Sequence, residues 1–308
     1  MAKNKQKKQK QSKFFDFYDK HYKLLTILPL LLVVFSAAGL TYQMITHDGE
    51  IVNRGISLSG GLSVTVETTE VFEIAQIEET LLAEFSDRQI RVRTLEDRGR
   101  LSGYTIESNI DETGRDDFVR TVQNIFSVSS DDVSAELTDS SLGEAFFQQV
   151  IQALIFALII MGIVVYIAFK KIVPALAIIL AVIIDLLVTL TIFDLTGQYL
   201  SAAGVAAFLM IIGYSVDTNI LLSSRYLKRA DESLNDRLRF AFKTGAFMSL
   251  TTILTISVAF IFTNSEIISQ IMLILLIGLS VDFITTWMLN AGILRWYLES
   301  QGETENGK

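Results

Sequence analysis

Residues 202–222 read AAGVAAFLMIIGYSVDTNILL, a continuous apolar stretch in which Asp217 is the one charged residue. About 20 apolar residues in a helix are long enough to cross the hydrocarbon core of a bilayer. The stretch therefore predicts a transmembrane helix. A charged side chain at that depth costs a few kcal/mol, so Asp217 is a candidate for a functional role.

Five further stretches of the chain have the same character. With the first they predict six transmembrane helices, at residues 24–45, 150–169, 172–193, 202–222, 246–262 and 271–289. Half of the 308 residues are hydrophobic, 19% are charged and the mean hydropathy is +0.42. This composition excludes a disordered or an ordinary soluble protein. A cleaved signal peptide is the alternative for the first stretch, although its 22 residues exceed the apolar core of a signal peptide.

Positive charge in the short loops predicts the orientation of the helices, because cytoplasmic loops carry the excess of Lys and Arg. Residues 1–23 contain eight lysines, Lys170 and Lys171 separate the second and third helices, and six Lys or Arg residues separate the fourth and fifth. The turns on the other side, around Asp194 and at 263–270, contain none. Both termini are therefore expected to be cytoplasmic, and the chain between the first two helices extracytoplasmic.

The region between the first two helices has the pattern of a separate domain. Residues 48–144 contain 21 acidic residues, eight arginines and no lysine. Apolar residues alternate in four runs, which predicts strands, and recur at helical spacing between them, which predicts two helices. The strand runs are 62–67, 89–95, 103–107 and 132–137, the helical runs are 74–85 and 118–126, and a hairpin turn is expected at 97–100. The order β-α-β-β-α-β is typical of a ferredoxin-like unit.

The fold class expected is an α-helical polytopic membrane protein with an extracytoplasmic α+β ferredoxin-like domain between helices one and two. The chain divides into a basic cytoplasmic tail (1–23), the first transmembrane helix (24–45), the ferredoxin-like domain (46–146), a five-helix transmembrane domain (147–294) and a second cytoplasmic tail (295–308). In the loop between the fourth and fifth helices, apolar residues recur at helical spacing among basic ones. This pattern predicts an amphipathic helix at 223–243 on the membrane surface.

Three aspartates lie within predicted membrane helices: Asp185, Asp217 and Asp282. Burial away from water favours the neutral form of an acid, so these residues are candidates for a proton relay. Polar residues at helical spacing predict stripes that face a partner helix or a wet cavity. The stripes contain Thr189, Asn219, Ser249, Thr251, Thr252, Thr255, Thr285, Thr286 and Asn290, with Lys243 at the entrance to the fifth helix. Interhelical hydrogen bonding without a relay is the alternative for each acid.

Four motifs in chain order resemble the SecF family of protein-export membrane subunits, and the archaeal type most closely. They are GISLSGG at 55–61, IIGYSVDTNILLSSRYLKR at 211–229, SLTT at 249–252 and VDFITTWMLNAGIL at 281–294. The resemblance covers nearly the whole chain after the lysine-rich tail, and it implies a transporter of the resistance-nodulation-division-like superfamily. It also identifies Gly55, Gly60 and Gly61 with the family's glycine motif.

Three positions depart from the pattern of the family. Ser57 stands where the family usually has an acid. Bacterial members have the acid of the fourth helix at the position of Thr218, whereas the acid of this chain is Asp217, one residue earlier. A shift of one residue rotates a side chain by about 100° around a helix. Lys243 stands one position before an arginine of the bacterial pattern.

The resemblance implies an accessory subunit of the Sec export machinery and not an enzyme. The partners implied are a SecD-like subunit, a SecYE-type protein-conducting channel, unfolded exported polypeptides and membrane lipid, without nucleic acid or a cofactor. No G-x-x-x-x-G-K-[ST] motif is present, so an ion gradient and not ATP is the expected energy source. We expect Asp217 to be the principal proton-responsive group, supported by Asp282 and Asp185, with Lys243 as a mobile counter-charge.

Two other functions remain open on the sequence. A structural scaffold of the export channel without ion coupling would need the same helices. An intramembrane aspartyl protease would use Asp217 and Asp282 as a pair that shares one proton. However, the GxGD element of such proteases is absent, and the tripeptide Pro-Ala-Leu at 174–176 precedes both acids. With no cysteine and two histidines, a cysteine nucleophile, disulfides and a His-rich metal centre are excluded.

Overall fold

Six long apolar helices dominate the structure, a computed structural model that describes residues 2–46, 52–86, 88–97, 100–228, 233–263 and 265–302. The helices are α1 (Ala2–Thr46), α2 (Ile56–Ser59), α3 (Ile74–Glu84), α4 (Arg115–Phe126), α5 (Ser140–Phe169), α6 (Ile172–Leu195), α7 (Ala202–Lys228), α8 (Leu234–Phe262), α9 (Glu266–Ile284) and α10 (Ala291–Ser300), with a π-helical turn (Thr285–Asn290) between the last two. The strands are β1 (Gly61–Glu67), β2 (Ile90–Asp97), β3 (Arg100–Ser108) and β4 (Val133–Thr138). Each predicted transmembrane stretch falls within one of α1 and α5 to α9, with the sixth continuing into the π-helical turn, so the prediction of six is confirmed.

The membrane helices begin and end where the sequence supplies caps. Asp139 caps α5 by accepting a hydrogen bond from the Ser141 N–H at 2.7 Å, and Ser233 caps α8 through the Asp236 N–H. Hydrogen bonds from the hydroxyl and the backbone N–H of Ser141 hold the pKa of Asp139 below its usual value. Lys170, in the left-handed conformation with φ of 51°, ends α5 and turns the chain directly into α6.

The outer domain, between α1 and α5, is a four-stranded antiparallel sheet with two helices. The strands lie in the order β2-β3-β1-β4, with α3 after β1 and α4 after β3. The predicted β-α-β-β-α-β order of a ferredoxin-like domain is therefore confirmed. Asp97 pairs with Arg100 at the end of the β2–β3 ladder. The two residues between them, in the predicted hairpin turn, lie outside the described residues.

This domain has a hydrophobic core of its own between the sheet and its two helices. Alternate residues of β1 are completely buried, as the two-residue period of a strand requires. The core combines Leu62, Val64 and Val66 of β1 with Val92, Tyr104, Ile106, Ile77, Leu81, Phe118, Val122 and Phe126 of the other elements. Full burial of each large apolar side chain is worth about 2 kcal/mol, so the domain is stabilised independently of the membrane helices.

Two contacts fasten the outer domain to the membrane helices. In the first, the segment before α2 pairs with the loop between α6 and α7. Leu200 N–H donates to the Asn53 carbonyl at 2.7 Å, and Gly55 N–H donates to the Leu200 carbonyl at 2.9 Å. Beside them, the Arg54 guanidinium forms an ion pair with Glu144 of α5 at 2.7 Å. The outer domain is thus held against both α5 and the entrance to α7.

The second contact depends on glycines that let the backbones of α2 and α5 touch. Gly60 and Gly61 have φ of 78° and 135°, which other residues adopt only with strain. A Cβ on Gly60 would lie 2.3 Å from Ser140 Cα, and a Cβ on Gly143 would lie 2.6 Å from Gly60 N. Any larger side chain at Gly60 would therefore separate the outer domain from α5.

On the opposite side of the membrane domain, α1 contacts the last helix of the described chain. Here the Tyr22 hydroxyl donates to Glu299 at 2.6 Å, and the Arg295 guanidinium lies 4.7 Å from the centre of the Tyr22 ring. The segment of α1 around Tyr22 and the end of α10 are thus joined. We call this the termini side, and the side that carries the outer domain the domain side.

The predicted surface helix at 223–243 is wrong. The chain continues in α7 to Lys228, and α8 begins at Leu234 and runs without a break into the membrane segment. Residues 229–232 lie outside the described residues. Arg237, expected on an exposed polar face, is buried and donates to the Tyr226 carbonyl at 3.0 Å. The apolar face of this segment packs against other helices and not against the membrane surface. The same packing provides a hydrogen-bond acceptor for Arg237.

We expect Gly60→Ala to weaken the junction between the outer domain and α5 by about 2 to 4 kcal/mol, because the methyl group meets backbone atoms and the φ angle strains alanine. Gly197→Ala is the matched control: its φ is also positive, at 71°, but a Cβ there meets nothing within 4 Å. It should lose about 1 to 2 kcal/mol from the backbone alone. Thermal unfolding in detergent measures both; equal losses would contradict the proposed clash.

Candidate functional site

Two of the three membrane aspartates lie together inside the helix bundle. Asp185 of α6 and Asp282 of α9 are 0% and 1% exposed. Helices α6, α7 and α9 pack against one another around them. A buried carboxyl group without hydrogen-bond donors is strongly destabilising. The neighbouring helices must therefore supply such donors.

Each oxygen of Asp185 accepts a hydrogen bond from a different part of the bundle. The Ser215 hydroxyl of α7 donates to Oδ2 at 2.6 Å, and the Thr285 hydroxyl of the π-helical turn donates to Oδ1 at 2.5 Å. The carboxyl group of α6 is thus bonded to both neighbouring helices. Loss of either hydroxyl would leave a buried acceptor unpaired.

Asp282 is enclosed in the same way. The Thr218 hydroxyl donates to Oδ2 at 2.9 Å, and the Thr286 hydroxyl donates to Oδ1 at 3.1 Å. Asp185 and Asp282 are linked through Thr285, whose hydroxyl lies within hydrogen-bond distance of Asp185 Oδ1 and of the Asp282 carbonyl, and we call their two neighbouring carboxyl groups the acid pair. Two ionised carboxylates in contact repel, whereas a pair that shares one proton does not. The acid pair is therefore suited chemically to taking up and releasing a proton.

A π-helical turn next to Asp282 sets the directions of the polar side chains that follow. Thr285–Asn290 form this turn, a rare conformation that is frequent at functional sites. The side chains of Thr285, Thr286 and Asn290 are all 0% exposed. Residue spacing predicts a polar stripe here, but an ordinary helix turns by 100° per residue and would spread these three side chains more widely.

A pair of amide side chains continues the buried polar layer from the acid pair toward the termini side. Asn219 Nδ2 donates to the Ser215 carbonyl at 2.7 Å, and Asn290 Nδ2 donates to Asn219 Oδ1 at 2.5 Å. Both residues are completely buried. Asn219, Thr286 and Asn290, predicted as parts of separate stripes, therefore lie in one connected site.

Asp217 lies elsewhere. Its side chain is exposed on the outer face of α7, in an apolar groove of about 650 Å³ between α5 and α7. The adjacent Thr218 contacts Asp282 instead, because neighbouring helical residues are rotated by about 100°. The structure thus separates Asp217 from the acid pair. An aspartyl-protease dyad of Asp217 and Asp282 is not formed.

The predicted residues of α8 have different surroundings. Ser249 is buried, whereas the Thr252 hydroxyl donates to the Met248 carbonyl of its own helix at 3.0 Å. Lys243 is exposed in the third turn of α8. Thr252 therefore has the ordinary role of a hydroxyl that bonds to the preceding turn.

The glycine motif lies at the junction with the outer domain and not in the membrane site. Within it, Ser57 Oγ accepts a hydrogen bond from Ala202 N–H, the first residue of α7, at 3.1 Å. A carboxylate, which the family usually has here, could accept the same bond. Ser57 thus satisfies one of the free N–H groups at the start of the helix that carries Asp217.

Ser215 is the site residue that sequence reasoning missed, and Thr218 was noted only for its place in the family pattern. Both are small hydroxyl residues, which are common in membrane helices whatever their role. The signal that could have identified them is their spacing. Ser215, Thr218 and Asn219 lie three and four residues apart, on one face of α7.

Comparisons with known proteins agree on one family. Residues 118–300 match the family model described as the C-terminal part of the protein-export membrane proteins SecD and SecF. The protein-export membrane protein SecF of Methanolacinia petrolearia is 33% identical over 284 residues, which cover 91% of this chain and 95% of that protein. SecF of Methanocaldococcus jannaschii is 34% identical over 287 residues, covering 90% and 96%.

A solved structure has the same fold. It is the crystal structure of SecDF, a translocon-associated membrane protein from Thermus thermophilus, with a TM-score of 0.71 and 18% sequence identity. The match covers 91% of this chain and 38% of the SecDF chain. This chain therefore corresponds to well under half of that longer protein.

We expect Thr285→Val to destabilise the protein by about 1 kcal/mol, because it keeps the side-chain shape and removes a donor to Asp185. Thr255→Val is the control: its hydroxyl donates to the Thr251 carbonyl on the exposed surface of α8. Its effect should stay within about 0.5 kcal/mol. Thermal unfolding in detergent gives the stabilities.

A double-mutant cycle tests whether the effect of Thr285→Val comes from Asp185. In an Asp185→Asn background the hydroxyl has lost its charged partner, so the two substitutions should be non-additive by about 1 kcal/mol. Additive effects would show that the loss of stability in Thr285→Val does not come from the hydrogen bond to Asp185.

Proposed function

The chain belongs to the SecF family of protein-export membrane proteins, and from this premise we propose that it joins a SecD-like subunit and couples polypeptide export to a proton gradient. It is an accessory, non-enzymatic subunit of the Sec machinery. The observation that carries the proposal is the link that α7 makes between two acidic residues, Asp217 on its outer face and Asp282 of α9. Asp217 faces outward, while the next residue, Thr218, donates to the buried Asp282.

The exposed face around Asp217 suits contact with a SecD-like subunit. A carboxyl group exposed to lipid within a membrane helix is unstable, so a partner helix with a basic or hydrogen-bonding group is needed to cover it. Gly213 lies one turn away, and a Cβ at that position would meet nothing within 4 Å. This leaves room for the close approach of another helix.

Within this proposal Asp217 is the principal proton-responsive group. Neutralisation of Asp217 would change its attraction to the partner and hence the rotation of α7. The hydroxyl of Thr218 would move with it, altering the hydrogen bond to Asp282 and the proton shared with Asp185. Lys243 of α8 is the candidate counter-charge, since its side chain is exposed and a lysine carries its charge on a long flexible stem.

The outer domain is the part proposed to handle the emerging polypeptide outside the cytoplasm. It is connected to the membrane domain by α1 and α5 and touches the entrance to α7. Rearrangement of α7 would therefore reach it through the contact between Gly55 and Leu200. A SecYE-type channel would deliver the unfolded polypeptide, and lipid would surround the remaining faces.

The alternative is a structural scaffold of the channel without ion coupling. One observation favours it: both oxygens of Asp185 and both of Asp282 have hydroxyl donors. A fully paired acid can act simply as a bridge between helices. Substitution of an aspartate by asparagine separates the two functions. An aspartate that only bonds two helices can be replaced by an amide, whereas one that must exchange a proton cannot.

We expect the outer domain to be extracytoplasmic. Cysteines introduced singly at the exposed Ser86 and Ser129 should react with a membrane-impermeant thiol reagent in intact cells, and the native chain contributes no cysteine background. Ser300→Cys, on the termini side, is the control and should react only after lysis. The reverse pattern would invert the topology.

We expect Asp217→Asn to preserve expression and co-purification with the SecD-like subunit while abolishing the stimulation of export by the proton gradient. The amide keeps the size and polarity of the side chain but cannot exchange a proton. Export into inverted membrane vesicles, with and without an uncoupler, measures the effect. Thr255→Asn, an exposed polar substitution on α8, should leave the stimulation unchanged. Normal uncoupler-sensitive export by Asp217→Asn would favour the scaffold.

A further inference from the structure

An apolar cavity of about 130 Å³ lies between α5, α6 and α7, at the ends of these helices that are on the domain side. Its eleven described lining residues are all apolar, and they include Phe147 and Leu154 of α5, Leu187 of α6 and Phe208 of α7. A buried apolar cavity of about 150 Å³ stays free of water and binds benzene. This cavity is therefore large enough for about six carbon atoms of a hydrocarbon chain.

The cavity extends from the surface of the bundle into its interior. Ile151 of α5 is 41% exposed, on the surface that faces lipid, whereas Val205 and Phe208 of α7 are 4% and 6% exposed. Along α5 the lining runs from Phe147 to Leu154, a distance of about 10 Å at about 1.5 Å per residue. A lipid chain that follows α5 into the membrane would pass this opening.

A positive charge lies at the domain-side end of the cavity. The Arg54 guanidinium is 5.0 Å from the centre of the Phe147 ring, and Phe147 lines the cavity. Arg54 is also the single Lys or Arg in the four stretches of sequence where the membrane helices end on the domain side. These stretches are residues 46–60, 139–150, 193–203 and 263–270. Because a guanidinium matches the geometry of phosphate, the site combines the two groups that bind a phospholipid.

The other charged groups near Arg54 are compatible with an anionic headgroup. The side chain of its ion-pair partner Glu144 is 51% exposed, against 19% for Arg54, so this carboxylate is largely in contact with water. Arg91 of β2 lines the same small cleft as Arg54 and adds a second positive charge. Glu107, also in that cleft, is paired with Arg93 at 3.0 Å. The balance of charge next to Arg54 therefore favours an anion.

The cavity also touches the contact that fastens the outer domain. Leu200, whose N–H donates to the Asn53 carbonyl, lines the cavity, and so does Val52, the residue before Asn53. Both side chains are buried. An occupant would pack against both partners of this contact, whereas an empty cavity would leave them without neighbouring atoms on one side. Filling the cavity would therefore stabilise the attachment of the outer domain.

We propose that one anionic phospholipid of the domain-side leaflet occupies this site, with part of one chain in the cavity and its phosphate beside Arg54. The bound lipid supports the attachment of the outer domain through Val52 and Leu200. The site contains neither residue of the acid pair, and the proposal does not rest on proton coupling.

Photo-crosslinking tests the occupancy of the cavity. The protein is purified from native membranes with the subunits that accompany it. It is then reconstituted in phosphatidylcholine vesicles that contain a phosphatidylglycerol with a diazirine on one chain. Lipid around the bundle labels exposed residues such as Ile155, which is 52% exposed. We expect label also on the buried Val205 and Phe208, because a chain inside the cavity reaches them.

Val205→Phe should lower the labelling of Phe208 about fivefold, because the larger side chain fills part of the cavity. Val34→Phe, the same substitution on a residue of α1 that is 65% exposed, is the control and should leave the labelling unchanged. Thermal unfolding in detergent shows that each variant is folded. Phosphatidylglycerol should raise the melting temperature of the wild-type protein and of Val34→Phe, but not that of Val205→Phe.

The contact between the headgroup and Arg54 is tested by two substitutions that break the same ion pair. Competition by unlabelled phosphatidylglycerol and phosphatidylcholine with identical chains measures the preference for the anionic headgroup. Arg54→Gln should reduce this preference about fivefold, whereas Glu144→Gln, which keeps the guanidinium, should maintain or increase it. An equal loss in both variants would show that the ion pair has only a structural role, and would overturn the contact with phosphate.

Label on Ile155 without label on Val205 and Phe208 would overturn the lipid site. Label that appears on these two residues only after the accompanying subunits are removed would also overturn it, since another subunit would then fill the cavity in the complex. Either result would leave the response of export to the proton gradient untouched. Conversely, export that ignores the gradient would not change the labelling, so the two proposals fail independently.

Discussion

Two carboxyl groups can be buried in a membrane helix bundle only where each of their oxygens has a hydrogen-bond donor. Here the four donors come from Ser215, Thr218, Thr285 and Thr286, on two different elements. Each such bond in a membrane protein is worth about 1 kcal/mol, and removal of a donor leaves a buried carboxyl oxygen unpaired at a cost of about 1 to 3 kcal/mol. The acid pair therefore fixes the rotation of α6, α7 and α9 relative to one another more strictly than apolar packing would.

Because the site depends on the exact rotation of each helix, it is harder to predict from the sequence than the fold. The six membrane helices and the ferredoxin-like domain follow from apolar length and periodicity, which each segment carries by itself. The site depends on which residue of α7 faces Asp282. The sequence predicts Asp217 as the site residue because it is the one charged residue of residues 202–222, yet the inward position is that of the next residue, Thr218. Local sequence patterns also give no sign of the π-helical turn.

The incorrect surface helix has a related cause. An amphipathic segment needs an apolar environment on one side, and a membrane surface and a neighbouring helix both provide one. The distinguishing residue is Arg237, because a buried guanidinium needs fixed acceptors. The Tyr226 carbonyl is such an acceptor. It lies on a different helix, so the spacing of residues within one helix does not predict this contact. The glycine motif is visible in the sequence, but the close contact of Gly60 with α5 depends on the three-dimensional arrangement of the two elements.

The bridge between Arg54 and Leu200 also has a consequence for the order of assembly. The outer domain has a core made from nearby segments, so it is able to fold while the later helices are still being synthesised. Its attachment at Leu200 cannot form until α6 has been inserted and α7 has begun to follow. During biogenesis the domain can therefore contact α5 first, through Gly60 and Arg54, and its attachment at Leu200 follows only when the α6–α7 hairpin is inserted.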